Sequence, residues 1–153
     1  MVIGNFWPNA FPRAIVCANM SWTRVILAGL AAGIVTSIGT DWLFAGDWLY
    51  KRYDRHPEIW RVSGKNETKA IIWAIPLPFL TCMAFAFTCT WLHLRSFGAT
   101  GLLAVAIWLI AAVPLIVVNS LFTKVSPPIA TSHAIGWLVK LLIAAAAVAL
   151  IVR

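Results

Sequence analysis

Four long apolar segments limit what this chain can fold into. They cover about residues 24–46, 70–92, 100–122 and 130–152, and each holds the roughly 20 apolar residues that a helix needs to cross a bilayer. Charged residues make up 11% of the chain and hydrophobic residues 61%, whereas a soluble domain carries about 25% charged residues. The sequence therefore predicts an all-α membrane protein, a multi-pass four-helix transmembrane bundle.

Residues 1–23 precede the first span and differ from it in pattern. Pro8, Pro12 and Arg13 interrupt their apolar residues, so no unbroken run long enough to cross the hydrocarbon core remains. We expect residues 1–23 to form an interfacial N-terminal segment and residues 24–153 to form the four-span transmembrane domain.

Small residues recur every fourth position in the first span. Residues four apart share one side of a helix, and missing side-chain bulk there lets the backbone of a neighbouring helix approach closely. The first span is therefore predicted to be the central packing helix. Two adjacent lines of small residues carry this prediction: Ala28, Ala32 and Thr36 on one, and Gly29, Gly33 and Ser37 on the other.

Ionisable and polar residues of three spans fall at a similar depth. With both chain ends on one side, the loop 49–69 and the corner 124–128 share the other, which we call the loop side. Asp41 and Lys140 lie about 5 Å and 12 Å below that surface, and the lysine side chain leans back toward it by about 6 Å. Asn119 and His133 fall in the same layer.

Two interpretations of this layer remain open. In one, Asp41, Asn119, His133 and Lys140 line a polar pocket or a proton or ion path, because ionisable groups inside a membrane are costly and usually face a partner or water. In the other, Lys140 extends to the lipid headgroups while Asp41 caps or pairs within the bundle and only sets the register of the helices. If Asp41 and Lys140 are partners, replacing both is expected to be tolerated better than replacing either alone.

Metal and cofactor chemistry has little support in the sequence. Cys89 and His93 are four residues apart, a spacing that can hold a metal on one helical face, but two ligands without a third are a weak candidate site. No catalytic triad, phosphate-binding loop, carboxylate-rich motif or haem attachment motif is present. We expect no cofactor, no metal and no enzymatic activity.

The basic charge indicates orientation rather than nucleic-acid binding. The formal net charge is +7, yet no interleaved face of lysines and arginines is present to grip phosphates. Seven basic residues lie on the loop side and four on the other, Arg13, Arg24, Arg95 and Arg153. The positive-inside rule therefore predicts that the loop 49–69 is cytoplasmic and that both termini lie on the opposite side.

Three stretches are similar to a known family. They are Gly39-Thr40-Asp41-Trp42-Leu43-Phe44, then Trp108 with Pro114 and Asn119–Phe122, and His133–Val139 at the start of the last span. Together they resemble the small bacterial membrane proteins grouped as domain of unknown function 1761. The resemblance implies a multi-span bundle in a bacterial inner membrane and assigns no activity.

Two functions from different classes are consistent with these patterns. In the first, the protein is a non-enzymatic accessory or structural component that packs through its small-residue faces into a homo-oligomer or a larger membrane complex, with lipids around it. In the second, it is a small oligomeric transporter or proton or ion permeation element that uses the polar layer. Four short helices rarely enclose a pathway alone, which favours the first.

Overall fold

The computed structural model describes residues 21–45, 69, 72–123 and 125–152. Within these ranges the chain forms helices and no strand, and four of the helices are long and apolar enough to cross a membrane. The predicted all-α four-helix transmembrane bundle is confirmed. Residues 1–20 of the predicted interfacial segment, and all of the loop 49–69 except Lys69, lie outside the described residues.

The four helices overlap the four predicted segments. Helix α1 is Trp22–Ala45, α2 is Pro76–Trp91, and α4 is Pro127–Ile151. Helix α3 begins at Phe97 and ends at Phe122, with a π-helical turn at Trp108–Ala112. Helices α1, α2 and α4 pack against one another pairwise, whereas α3 packs mainly on α4. The core therefore lies between α1, α2 and α4, and α3 is attached at one side.

Pro76 and Pro78 of the second span lie where a short helical stretch passes into α2. A short helical stretch over residues 72–74 comes first, and α2 itself begins at Pro76. Proline is tolerated in the first turn of a helix because the N–H groups there have no partner within the helix. The two prolines therefore lie in the first turn of α2, inside the span Ile72–Trp91.

The π-helical turn in α3 has a local cause. Pro114 has no N–H to give to a carbonyl one turn back, and its ring crowds that carbonyl. The chain widens by one residue just before it, and the N–H of Val113 bonds to the carbonyl of Trp108, five residues earlier. Such a wide turn lets a proline sit inside a continuous span.

The hydroxyl groups of the spans are satisfied mostly within their own helices. Lipid offers no hydrogen bonds, so a hydroxyl in a span needs a partner in the protein. Threonine and serine side chains accordingly donate to carbonyls three or four residues earlier in the same helix. The described examples are Thr36, Thr81, Thr88, Thr90, Ser120, Thr131 and Ser132.

The turn between α2 and α3 closes with a left-handed residue. His93 has φ 56°, its N–H bonds to the carbonyl of Thr90, and the N–H of Leu94 bonds to the carbonyl of Cys89. These two bonds form a Schellman motif, in which glycine is the usual left-handed residue. The side chain of Leu94 packs against the core and completes the motif.

Replacing His93 with glycine is expected to stabilise the protein. A side chain in the left-handed region costs about 1 kcal/mol, and glycine avoids that cost. The free energy of unfolding in an SDS titration of mixed micelles should rise by about 0.5–1 kcal/mol. Leu92→Gly is the control: Leu92 has φ −83°, so glycine there relieves nothing and should lower stability. No gain from His93→Gly would contradict the assignment.

Candidate functional site

The small-residue lines of α1 lie in the core. Ala28, Ala32 and Thr36 are at most 2% exposed, and Gly29 and Gly33 are also buried. A Cβ atom added at Gly29 would lie 2.2 Å from the sulfur and 3.0 Å from the Cα of Met83. One added at Gly33 would lie 2.5 Å from Cδ1 of the Phe79 ring. At these two glycines α2 packs directly against the α1 backbone.

A polar cluster lies where α1 and α2 meet. The Thr36 hydroxyl donates to the Gly33 carbonyl at 3.0 Å and lies 3.8 Å from the Cys82 sulfur, and both side chains are fully buried. The hydroxyl oxygen of Ser37 is buried and has no hydrogen-bond partner among the described residues.

This cluster lies near the middle of the spans. Thr36 lies about 21 Å along α1 from its start at Trp22, at 1.5 Å per residue. Lys140 lies about 20 Å along α4 from its start at Pro127, on the loop side. A helix of this length exceeds the roughly 30 Å of hydrocarbon by a few ångströms at each end. The cluster, which includes Cys82 of α2, therefore lies well inside the hydrocarbon region.

Lys140 is partly buried and its ammonium lies over an aromatic ring. The distance from its Nζ atom to the centroid of the Trp137 ring is 5.5 Å, within the range of a cation–π interaction. Trp137 lies nearly one turn closer to the start of α4, on the loop side. The lysine side chain is therefore directed toward that side, as expected from the lean of helical side chains.

The other predicted members of the polar layer lie elsewhere on the surface. Asn119 is exposed near the end of α3, and His133 is exposed on α4. Asp41 belongs to α1, but its side chain lies outside the part of the chain that the structure describes. The pairing of Asp41 with Lys140 stays a prediction, and the described residues do not bring Asn119 and His133 into one interior pocket with Lys140.

The suggested geometry for a metal at Cys89 and His93 is wrong. It required both residues on successive turns of one helix, but α2 ends at Trp91 and His93 is in the left-handed region. Cys89 is fully buried, whereas His93 is exposed. Among the described residues, no group of three or more histidine, cysteine, aspartate or glutamate side chains could hold a metal ion.

Two hydrogen bonds tie α3 to α4. The indole N–H of Trp108 donates to the carbonyl of Ala134 at 2.7 Å, and the Thr100 hydroxyl lies 3.2 Å from the carbonyl of Ala145. Ala104, fully buried, lies between these contacts on the same side of α3. Sequence reasoning missed both bonds, because nothing in the sequence pairs a donor with a backbone carbonyl 26 or 45 residues later.

Trp108→Phe is expected to loosen α3 without disturbing its packing surface. The substitution keeps an aromatic ring and removes one hydrogen bond between helices, which is worth about 0.6–1.7 kcal/mol in a membrane. The loss should appear as a lower free energy of unfolding in mixed micelles. Trp73→Phe serves as the matched control, since Trp73 is 78% exposed. Equal effects of the two substitutions would show that the bond to Ala134 contributes nothing.

The fold and these contacts define the class of protein: a helical, multi-pass membrane protein with a tightly packed three-helix core and a fourth span at its side. Its membrane location follows from four helices long and apolar enough to span. No protein-family model, curated protein or solved structure matches the chain.

Proposed function

We propose that the protein is a non-enzymatic accessory or structural component of a membrane complex. The observation that carries this proposal is the position of α3. This helix buries only two of its residues, Thr100 and Ala104, and packs mainly on α4. A span attached along one side leaves most of its circumference for lipid or for helices of another protein.

The outer face of α3 is large and apolar, and it is open to lipid or to helices of another protein. Its exposed large apolar residues are Phe97, Leu102, Val105, Leu109, Ile110, Leu115, Val117, Val118, Leu121 and Phe122. In a membrane, acyl chains are as apolar as leucine, so helices associate by van der Waals packing and by hydrogen bonds rather than by exclusion of water. Asn119, exposed among these residues, supplies an amide that can bond across such an interface.

Purification in a mild detergent tests this function. The protein should purify as a defined homo-oligomer or together with a constant partner. A cysteine introduced by Leu109→Cys, on the exposed side of α3, should crosslink to that neighbouring protein. Leu30→Cys is the matched control, because Leu30 is exposed on α1, outside the proposed interface. A solitary monomer that crosslinks from neither position would contradict the proposal.

The polar cluster supports a second candidate, a small oligomeric transporter or a proton or ion permeation element. A lysine near the middle of a span, together with the buried Ser37 hydroxyl, is the kind of group that ion pathways use. Flux into proteoliposomes should then exceed that of empty vesicles and fall in Asp41→Asn and Lys140→Met. No flux above empty vesicles would remove this candidate.

The cellular setting is also a proposal. The excess of basic residues on the loop side supports a cytoplasmic loop 49–69 with both termini on the opposite side. The resemblance to the family with domain of unknown function 1761 supports a bacterial inner membrane, and kinship with that family stays a prediction. Tagging the loop and the C-terminus and testing which tag a protease reaches in intact cells would decide the orientation.

A further inference from the structure

The widened turn in α3 changes which carbonyls the backbone N–H groups can reach. Before the proline, the N–H of Val113 bonds to the carbonyl of Trp108. After it, the carbonyl of Ala112 accepts the first bond of the α-helical stretch that follows, from the N–H of Ile116. The carbonyls of residues 109–111 lie between these two acceptors.

These three carbonyls share a single donor within the helix. Residues 114 and 115 are the two that lie between the donors Val113 and Ile116, and Pro114 has no N–H. Leu115 can therefore serve one of the three carbonyls, and the other two have no partner in their own helix. In the part of the chain that the structure describes, no donor from another helix reaches them either.

These carbonyls lie in the middle of the membrane, on the exposed side of α3. Leu109 and Ala111 are about 18 Å and 21 Å along the helix from its start, in a span about 39 Å long, at 1.5 Å per residue. Leu109 is 53% and Ile110 78% exposed, and Ala111 is exposed too. Lipid headgroups do not reach this depth, and acyl chains offer no hydrogen bond.

We propose that this turn is the docking point for a transmembrane helix of another protein, one that carries a side-chain hydrogen-bond donor at the middle of the bilayer. This partner chemistry rests on the function proposed above. A carbonyl is complementary only to a donor, and within a membrane the amide N–H or hydroxyl of a neighbouring helix supplies one. The exposed side chains of Leu109 and Ile110 pack against the same helix.

A contact between the α3 helices of two copies does not supply this donor. Two copies with the same orientation bring their α3 helices together at equal depths. Residues 101–118 hold one side-chain donor, the indole of Trp108, and it already bonds to the carbonyl of Ala134. The hydroxyls of Thr81 and Thr88 likewise donate within α2. We therefore assign the donor to a different protein.

Peptides of known composition test the donor and its depth. The probe is a synthetic transmembrane peptide of leucines with one asparagine at its centre, and energy transfer reports its association with the full-length protein in phosphatidylcholine vesicles. One hydrogen bond between helices should make this peptide bind about fivefold more tightly than an all-leucine peptide. Moving the asparagine seven residues toward either end, about 10 Å, should remove the preference. Association of each peptide with itself is measured in vesicles without the protein and subtracted.

Pro114→Ala is the matching change in the protein. Alanine restores the missing N–H, so binding of the peptide with the central asparagine should fall to the level of the all-leucine peptide. Pro76→Ala is the control, because Pro76 lies in the first turn of α2, where an N–H has no partner within the helix. This variant should keep the fivefold preference.

Equal binding of the central-asparagine and all-leucine peptides by the unmodified protein would overturn the inference, as would an equal preference for a displaced asparagine. Both comparisons use the unmodified protein, so they decide even if Pro114→Ala fails to fold. A preference that persists in a folded Pro114→Ala would exclude the free carbonyls as acceptors. The proposed function fails separately: if Leu109→Cys crosslinks to a second copy, that function stands and a different protein as the occupant is overturned.

Discussion

Replacing Gly29 with leucine is expected to cost about 3 kcal/mol of stability or to prevent the bundle from forming. Overpacking a well-packed core typically costs about 1–3 kcal/mol and sometimes more. The cost at Gly29 belongs at the upper end, because the first added atom would already lie 3.0 Å from the Cα of Met83. A backbone atom cannot rotate away as a side chain can, so α2 would have to move away from α1.

The matched control is the same substitution at Gly101 of α3, where nothing lies within 4 Å of an added Cβ. Gly101→Leu should be neutral or stabilise by up to about 1 kcal/mol, because leucine is a better helix former than glycine. Gly33→Ala gives an intermediate case, since the atoms in its way belong to the Phe79 ring and can shift. A similar free energy of unfolding for Gly29→Leu and Gly101→Leu would contradict the close approach of α1 and α2.

Ala104→Leu is expected to detach α3 from α4, with a loss of about 2–3 kcal/mol. Ala104 is fully buried between the two hydrogen bonds that join these helices, so added bulk there would separate Trp108 from Ala134. Because α3 packs mainly on α4, it has little other contact to compensate. Both the free energy of unfolding and the protection of α3 in hydrogen exchange should fall.

Ala111→Leu is the control for this prediction. It makes the same change in the same helix at an exposed position, where a leucine side chain meets lipid and costs almost nothing. We expect the free energies of unfolding of the two variants to differ by about 2 kcal/mol. Equal stability, or hydrogen exchange in α3 that stays unchanged in Ala104→Leu, would show that α3 is not held along this seam.

The spans could be predicted from the sequence because their length and composition report the thickness of the membrane directly. The lines of small residues in α1 were visible for a similar reason, since a spacing of four places them on one side of any helix. What the structure adds at Gly29 and Gly33 is the identity of their neighbours, Met83 and Phe79. A repeat in one helix carries no information about which residue of another helix faces it.

The polar residues illustrate what the sequence could not supply. Depth along a span follows from counting residues, so Lys140 was expected deep in the membrane. The direction in which a side chain points around the helix is different, because a span that is apolar all round has no polar face to mark its outside. The sequence predicts that Asn119 and His133 share the depth of Lys140, but it does not show that both side chains are exposed. The sequence also did not indicate that α2 ends before His93. The left-handed residue that follows such a helix end is usually glycine, and here it is a histidine.

Labelling from each side of the membrane tests the central claim, that four helices cross the bilayer, most directly. Single cysteines at Arg95, Ser126 and Lys65, in a chain whose own cysteines are replaced by alanine, would be treated with a membrane-impermeant maleimide. Four crossings predict that Arg95→Cys reacts from one side only and that Ser126→Cys and Lys65→Cys react from the other side only. Reaction of Arg95→Cys and Ser126→Cys from the same side would contradict α3 as a span and, with it, the arrangement of helices described above.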